Sequence, residues 1–301
     1  MGAQLRAVRR RIRSVQSTAK ITRAQELIAA SRIIKAQQRL HAAAPYAREL
    51  TEAVEAVVSR SGQIDHPLTQ SVTSPTRSAV VVLTSDRGFA GGFNANVLRE
   101  AQGLRSLLES QRVTPVTYVA GRKGISWHRF RGRELAAEWS GFSDTPQQRN
   151  AAEITQELLD AYERPTAEGG VDEIYVVYTE FVSMLTQRAI ARRLLPLEIE
   201  VTDQPPPTGP LPIYEFEPSP EDVLNALLPW YVESRMFHAL LESAASEIAA
   251  RRRAMKSATD NANELIEQLS REANKARQAE ITQEISEIVG GANALADATR
   301  E

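Results

Sequence analysis

Hydrophobic positions recur with helical spacing at both ends of the chain. Near the N-terminus an alternating spacing of three and four residues joins Leu5, Val8, Ile12, Val15 and Ala19. Near the C-terminus the same spacing joins Met255, Ala258, Ala262, Leu265 and Leu269. This is the heptad repeat of a left-handed coiled coil, and its alanines allow close approach of two helices. The pattern predicts that the two ends pair as a long antiparallel two-helix coiled coil.

Both terminal helices are predicted to be unusually long. Gly and Pro are absent from residues 3–44 and 230–289, so nothing in either segment ends a helix. At 1.5 Å per residue these segments would form rods of roughly 60 Å and roughly 90 Å. Pro45 is a candidate kink in the first rod. We expect Pro220 to open the second helix and Pro229 to break it before the long uninterrupted run.

The coiled-coil seam is expected to be imperfect. After Ala19 the apolar stripe of the first rod shifts to Leu27, Ile28 and Ile34. Three consecutive arginines at residues 251–253 interrupt the stripe of the second rod. Such a shift would turn a different face of the first helix toward its partner.

The middle of the chain alternates between strand-like and helix-like segments. Residues 78–85, 116–120 and 174–179 are β-branched runs typical of buried strands, and residues 94–108 and 147–162 have helical periodicity. Residues 184–201 add one or two edge strands. Alternating strands and helices predict a Rossmann-like α/β middle domain with about five strands.

These patterns divide the chain into five parts. A coiled-coil helix occupies residues 1–60, a connecting loop 61–77, the α/β domain 78–201, a linker 202–220 and the second coiled-coil helix 221–301. The linker contains seven of the fifteen prolines, which excludes regular helix and central strand there. We expect it to be a semi-extended strap.

Composition and charge add further limits. The chain has 301 residues, 42% of them hydrophobic, and no cysteine, so disulfides and thiolate chemistry are excluded. Its apolar runs are too short to cross a bilayer, and we expect neither a signal peptide nor a membrane span. The net charge of −2 hides ten basic side chains against one acid within residues 1–40. A solvated helix face is the plain alternative, but a single-sign face favours an acidic partner, either a protein surface or a nucleic acid.

A glycine-rich segment at residues 85–94 (SDRGFAGGFN) follows a predicted strand and precedes a predicted helix. Loops in this position often hold phosphates, but the segment matches neither of the two common phosphate-loop motifs. We interpret Asp86, Gly88, Gly91 and Gly92 as a structural turn. The four histidines lack metal-ligand spacing, and no nucleophile or acid/base pair is evident. We therefore expect no catalytic residue, metal or cofactor.

A polar run near the C-terminus is a candidate contact surface. Arg277 and Glu284 lie seven residues apart and share a helix face, while Gln278 and Thr282 lie four apart on the next stripe. A one-sided set of hydrogen-bonding groups suits a reversible protein contact. The alternative is an ordinary exposed helix surface.

Several motifs resemble those of one family, the gamma subunits of bacterial rotary F-type ATP synthases. The resemblance covers nearly the whole chain. It is carried by residues 12–22 (IRSVQSTAKIT), 29–31 (AAS), 85–88 (SDRG), 91–94 (GGFN), 255–262 (MKSATDNA) and 274–285 (NKARQAEITQEI).

This resemblance implies a non-catalytic central rotor shaft. Its implied partners are the hexamer of alpha and beta subunits, the epsilon subunit and the c-ring of the membrane sector. Rotation of the c-ring would turn the shaft and drive the catalytic subunits through their conformational cycle for ATP synthesis. The implied location is the cytoplasmic face of the bacterial plasma membrane, without direct membrane insertion and without nucleic acid.

The resemblance also implies which residues contact the hexamer. The basic first helix would face an acidic lever segment of the catalytic subunits, and Gln25 stands where the family commonly has methionine. The implied contact residues are Arg9, Arg13, Lys20, Gln25, Arg251, Arg277, Gln278, Thr282 and Glu284.

Two rival hypotheses come from other classes of protein. The basic N-terminal segment also fits a coiled-coil protein that binds nucleic acid, whose affinity would fall steeply with salt. The strand, glycine-rich loop and helix also fit a dinucleotide-binding enzyme with helical arms, which nucleotides would stabilise against heating.

Overall fold

The structure, a computed structural model, describes residues 3–61, 68, 72–197, 217 and 219–298. In chain order the elements are α1 (Ala3–Ser61), β1 (Arg77–Leu83), α2 (Phe93–Ser110), β2 (Thr114–Ala120), α3 (Arg122–Phe130), β3 (Ala137–Trp139), α4 (Gln148–Glu163), a 3-10 turn (Thr166–Glu168), β4 (Glu173–Phe181), β5 (Gln187–Leu195) and α5 (Pro220–Ala298). The chain forms two compact units. We call residues 1–28 with 252–301 the coiled-coil unit, and residues 29–251 the sheet unit.

The coiled-coil unit contains the predicted seam between the two terminal segments. On α1 the side chain of Leu5 is buried, and Val8, Ile12, Val15 and Ala19 are half-buried. On α5 the buried positions are Met255, Ala262 and Leu269, with Ala258 and Leu265 half-buried. The intervening positions are mostly exposed, which is the burial pattern of a two-helix coiled coil. The predicted heptad positions are therefore confirmed.

The predicted shift of register after Ala19 is wrong. The repeat continues without interruption to Thr22 and Glu26, both of which are buried, while Leu27 is 56% exposed. These polar residues are tolerated in the seam because each has a partner. The hydroxyl of Thr22 hydrogen-bonds that of Thr259, and the carboxylate of Glu26 lies 2.8 Å from the guanidinium of Arg23.

In the sheet unit, α1 and α5 pack as an antiparallel pair through small side chains. Ala29, Ile33 and Ala36 form a cluster with Ala245, Ile248 and Ala249, while Ile34, in the predicted shifted stripe, is 57% exposed. Further along α1, Val54 and Val57 share a second cluster with Leu224, Leu228 and Val232 of α5. Residues of increasing number on α1 thus pack against residues of decreasing number on α5, which is the predicted antiparallel arrangement.

The five strands form one sheet in the order β3-β2-β1-β4-β5. Strand β1 pairs in parallel with β2 and β4, β2 pairs in parallel with β3, and β5 closes the edge antiparallel to β4. The expected α/β class and strand number are confirmed. The sequence patterns missed β3 and α3, because β3 has only three residues and α3 only nine, too few for a clear period.

Both faces of the sheet are covered. Alternate residues of β1 enter different clusters: Val81 and Leu83 pack with Ile154 and Leu158 of α4, whereas Val80 and Val82 pack with residues of α2 and α3. This explains why the central strand is apolar at every position from Ala79 to Leu83 rather than at every second one.

Helix α5 does not break at Pro229, so that prediction is wrong. The helix begins at Pro220, as expected, and continues through Pro229 to Ala298. Proline removes one backbone donor, but Leu228 and Val232 on either side are fully buried and hold the helix in place. Helix α1 likewise continues through Pro45. Most of the predicted proline-rich strap lies outside the described residues, and the five-part division of the chain stays a prediction.

Candidate partner-contact surfaces and the glycine-rich loop

The basic surface of α1 is exposed along its whole length. All ten lysines and arginines within residues 1–40 have exposed side chains, including Arg9, Arg13 and Lys20, and Gln25 is exposed as well. Glu26 pairs with Arg23 and Asp144 pairs with Arg32, so the ten cations of residues 1–40 still carry a large excess of positive charge. Such a surface attracts an acidic partner.

The predicted polar contact set lies on an exposed stretch of α5. Arg277, Gln278, Thr282 and Glu284 all have exposed side chains. The hydroxyl of Thr282 donates a 2.9 Å hydrogen bond to the carbonyl of Gln278, which links two of these residues on one stripe. Their long polar side chains remain available to a partner.

Sequence reasoning missed an apolar stripe beside this polar set. Ile281, Ile285, Ile288 and Val289 are exposed, and every side chain from residue 281 to 292 faces solvent. A row of large aliphatic side chains on an exposed helix indicates a binding surface. The spacing of 281, 285 and 288 in the sequence could have revealed it.

Asp86 organises the glycine-rich loop of the sheet unit. Its carboxylate accepts hydrogen bonds from the backbone N–H groups of Arg122, Gly141 and Ser143, at 3.1, 2.8 and 3.0 Å. Arg122 begins α3 just after β2, Gly141 and Ser143 lie in the loop that follows β3, and Asp86 itself follows β1. One side chain therefore ties together three neighbouring loops at the carboxyl edge of the sheet.

The electrostatics of Asp86 agree with this role. Burial alone would raise the pKa of its carboxyl group, but the N–H donors of Ser143, Arg122 and Gly141 and the charge of the Arg122 guanidinium outweigh burial. The pKa of Asp86 therefore lies below its ordinary value. The carboxylate stays ionised at neutral pH and acts as a fixed hydrogen-bond acceptor.

The glycines of the loop meet backbone requirements. Gly91 has a φ of 56°, in the left-handed region where a side chain is disfavoured. Gly92 is the N-cap of α2, and Gly88 contributes a carbonyl to the contact with Arg251. Phe89 also has a positive φ of 62°, and its ring is 80% exposed, which is unusual for an aromatic residue. The loop thus presents this ring to solvent.

Arg251 contacts the glycine-rich loop within the sheet unit. Its guanidinium lies 2.7 Å from the carboxylate of Glu247 and donates to the carbonyls of Arg87 and Gly88 at 3.3 Å. Burial raises the pKa of Glu247, while Arg251 and the Ser143 hydroxyl oppose that increase. The Arg251 side chain is mostly buried by these contacts, and its role toward a partner stays a prediction.

The N-terminus of α3, beside the glycine-rich loop, is capped by the protein's own groups. The first N–H groups of α3 donate to Asp86, to the carbonyl of Ser85 and to the hydroxyl of Thr84. A Cβ on Gly121 would lie 2.1 Å from the carbonyl oxygen of Thr84, so the ends of β1 and β2 are tightly closed. Phosphate binding needs free N–H groups at this edge. These N–H groups of α3 are therefore already used within the protein, and the assignment of the loop as a structural turn stays a prediction.

Among residues 3–61, 72–197 and 219–298, no group of three or more His, Asp or Glu side chains is arranged to hold a metal ion. In the same part of the chain, no helix combines the length and apolar character needed to span a bilayer.

The fold is that of central-stalk chains of ATP synthases. A chain of the Euglena gracilis mitochondrial ATP synthase, solved with OSCP, F1 and the c-ring, matches with a TM-score of 0.68 and 16% identity, covering 100% of this chain and 97% of its own. A chain from the central stalk and c-ring of the Tetrahymena thermophila enzyme matches with a TM-score of 0.58 and 23% identity, covering 79% of this chain and 99% of its own.

Sequence comparison then gives the family. Residues 4–295 match the family described as ATP synthase. The ATP synthase gamma chain of Thermobifida fusca is 58% identical over 302 residues, covering 99% of both chains. That of Frankia casuarinae is 59% identical over 299 residues, covering 99% of this chain and 100% of the relative. The chain belongs to the ATP synthase gamma chain family.

Proposed function

We propose that this chain is the central rotor shaft of a proton-transporting ATP synthase. It would couple rotation of a membrane c-ring to the conformational cycle of an alpha/beta hexamer that makes ATP. The observation that carries this proposal is the 58–59% identity to ATP synthase gamma chains over 98–99% of the sequence. The proposed partners are the alpha and beta subunits, the epsilon subunit and the c-ring.

The coiled-coil unit has the physical properties that this role requires. Two helices packed along a heptad seam resist bending and twisting better than one helix, because each side chain in the seam is held between residues of the other helix. Its exposed faces differ, with a basic surface on α1 and a polar and apolar surface on α5. A rotor with unlike faces makes different contacts with a catalytic subunit at each angle, and so shifts that subunit between conformations.

Charge complementarity supports the proposed hexamer contact. The exposed cations of α1 fit an acidic segment on the surrounding subunits, and Arg9, Arg13, Lys20 and Gln25 would lie at this contact. On α5, Arg277, Gln278, Thr282 and Glu284 would hydrogen-bond to loops of the catalytic subunits. Arg251 would act at the same interface or through the glycine-rich loop that it contacts.

The chain itself is proposed to be non-catalytic. The features that support this are the N–H groups of α3 that already bond within the protein and the use of Asp86 as a structural acceptor. The complex would lie at the cytoplasmic face of the bacterial plasma membrane, with this chain attached through its partners. ATP chemistry would belong to the hexamer.

Capture from membranes tests the proposal. The chain, tagged at its N-terminus and expressed in its source organism, should be recovered from detergent-solubilised membranes with alpha, beta, epsilon and c subunits and with ATPase activity. Nuclease treatment should leave this set unchanged. The rotor proposal would be rejected if the chain were recovered without ATPase subunits. It would also be rejected, in favour of the nucleic-acid hypothesis, if nucleic acid were recovered with the chain and nuclease removed both the nucleic acid and the bound partners.

A further inference from the structure

A cationic pocket lies between α2 and α3 on one face of the sheet unit, far along the chain from the proposed hexamer contacts. Its polar lining consists of Gln102 and Arg105 of α2, Thr117 of β2, Trp127 and His128 of α3, and Arg133 just beyond α3. Its volume of about 10 Å³ gives room for about one oxygen atom. None of these residues has a role in the rotor proposal.

His128 is an unsatisfied polar group at this pocket. His128 is buried, with 4% of its surface exposed, and neither Nδ1 nor Nε2 has a hydrogen-bond partner among the described residues. Leaving a buried ring N–H and a ring nitrogen unpaired is unfavourable, because both lose the hydrogen bonds that water would give them. A buried imidazole that lines a pocket with room for one oxygen atom is therefore suited to hydrogen-bond a ligand.

Three arginines surround this histidine. The guanidinium of Arg131 lies 3.9 Å from the ring centroid of Trp127 and that of Arg133 lies 5.1 Å from it. Arg105 is paired with Glu109 at 2.8 Å. When the Gln102 amide is oriented with its oxygen toward Arg133, it accepts hydrogen bonds at 2.7 and 2.8 Å, which fixes the guanidinium.

The cations are crowded enough to affect one another. Burial, followed by the charges of Arg133, Arg105 and Arg131, holds the pKa of His128 at about 4. Burial and the neighbouring arginines also lower the pKa of Arg133, against the opposing charge of Glu109. Three guanidiniums thus share one nearby carboxylate. An added anion would relieve this repulsion.

We propose that this pocket binds a phosphate group. One phosphate oxygen would enter the pocket and meet the ring of His128, while the other oxygens face the guanidiniums of Arg105 and Arg133. Planar guanidiniums bind tetrahedral oxyanions through paired, charge-assisted hydrogen bonds. The site is independent of the rotor role and would exist even if that role were wrong.

The phosphate could be free in solution or could belong to a lipid headgroup. Phe130 lies between Arg129 and Arg131 at the end of α3, and its ring is 88% exposed. An exposed aromatic ring beside arginines would add affinity for an anionic membrane surface but none for a dissolved ion. This difference separates the two sources experimentally.

Titration of the purified full-length chain with inorganic phosphate tests the site. The ring resonances of His128 should move saturably, whereas Arg133→Gln should weaken binding by roughly tenfold or more, because a charge-assisted hydrogen bond is lost. Arg105→Gln should act in the same direction and guards against a folding defect in one variant. Arg129→Gln is the matched control, because Arg129 pairs with Glu138 at 2.7 Å and does not line the pocket.

The lipid arm uses vesicles of phosphatidylglycerol and of phosphatidylcholine. Vesicle binding that requires phosphatidylglycerol, Arg133 and Phe130 would identify a lipid headgroup as the source of the phosphate. Saturable binding of inorganic phosphate that is unchanged in Phe130→Ser would identify a free anion as the source. Either result supports the site. Absence of both kinds of binding, or binding that Arg133→Gln and Arg105→Gln leave at the wild-type level, would show that the pocket does not hold a phosphate group and would overturn the proposal.

Discussion

The hydroxyl oxygens of Thr22 and Thr259 lie 2.7 Å apart in the seam of the coiled-coil unit, although 237 residues separate them in the chain. Each hydroxyl also lies within hydrogen-bond distance of a carbonyl of its own helix, that of Ala19 for Thr22 and that of Met255 for Thr259. Because each hydroxyl has one hydrogen, one threonine donates across the seam while the other donates to its own helix. This polar pair can form only in one alignment of the helices, so it fixes their register.

The Thr22–Thr259 pair should show strong non-additivity. Thr22→Val or Thr259→Val alone removes the hydrogen bond across the seam, leaves the remaining hydroxyl only the carbonyl of its own helix, and should destabilise the isolated chain by about 1 kcal/mol. The double variant removes both hydroxyls and should be close to wild type in stability, as measured by chemical denaturation. Additive losses in the double variant would show that the two hydroxyls do not interact.

Leu269 and Leu27 should respond differently to the same substitution. Leu269→Ala removes a buried seam residue and should destabilise the isolated chain by about 2–5 kcal/mol. Leu27→Ala is the matched control, because the leucine is exposed, and should change stability by less than about 0.5 kcal/mol. An equal drop in melting temperature in the two variants would instead support the shifted register that Leu27, Ile28 and Ile34 suggested.

Asp86→Asn should destabilise the sheet unit through the three loops that its carboxylate joins. The amide nitrogen cannot accept an N–H donor, so we expect a loss of about 1–3 kcal/mol at neutral pH. Asp260→Asn, at an exposed position that pairs with Lys256, should have little effect.

The acid dependence of the Asp86 variant follows from the direction of its pKa. Because the pKa of the folded state lies below the ordinary value, Asp86 stabilises the fold above that value, and the contribution is lost as pH falls through the folded pKa. Denaturation at a series of pH values should therefore show the variant and the wild type converging below about pH 4. A constant difference down to strongly acidic pH would contradict this account.

His128 should make the fold sensitive to mild acid. Its folded pKa of about 4 lies below the ordinary value of 6.5, so the folded state favours the neutral ring. The stability is present above about pH 6.5 and declines as pH falls toward 4, by up to about 1.4 kcal/mol per pH unit. In phosphate-free buffer, His128→Gln should flatten this decline and the exposed His41→Gln should not. A decline that is identical in all three proteins would contradict the expectation.

Arg277 and Gln278 should affect coupling and leave folding unchanged. In an assembled complex, Arg277→Ala or Gln278→Ala should lower the rates of ATP synthesis and hydrolysis, while the isolated chain keeps its wild-type melting temperature because both side chains are exposed. Arg271→Ala is the control, since this exposed arginine faces Glu267 at 4.0 Å on the same helix and is not among the proposed contacts. Unchanged rates in all variants would remove these residues from the proposed interface.

Local pattern was a sound guide to elements but a poor guide to register. The heptads from Leu5 to Ala19 and from Met255 to Leu269 predicted the seam, because a 3,4 spacing places residues on one helix face in any context. Leu27, Ile28 and Ile34 misled because hydrophobicity alone does not reveal whether a face is covered. Thr22 continues the seam because its hydroxyl meets that of Thr259, a distant partner that is visible only after folding. Glu26 pairs with Arg23 on the same helix, but the sequence does not show that this pair lies in the seam.

The candidate site divides in the same way. Exposure of Arg9, Arg13, Lys20, Arg277 and Gln278 follows from helical spacing, and the sequence was enough to expect it. The three hydrogen bonds to Asp86 and the contact of Arg251 with the glycine-rich loop join residues that lie far apart in the chain. The burial of His128 without a hydrogen-bond partner likewise depends on the folded structure. No local pattern encodes those distances.

The amino-acid sequence by itself determined two long helices, an α/β middle and a basic N-terminal surface, because periodicity and charge act over a few neighbouring residues. Only the tertiary structure decided which polar residues occupy the seam, how Asp86 closes the glycine-rich loop and where cations gather around His128. Those outcomes depend on burial and pairing between distant segments, since a polar side chain is stable inside a protein only where folding brings it a partner.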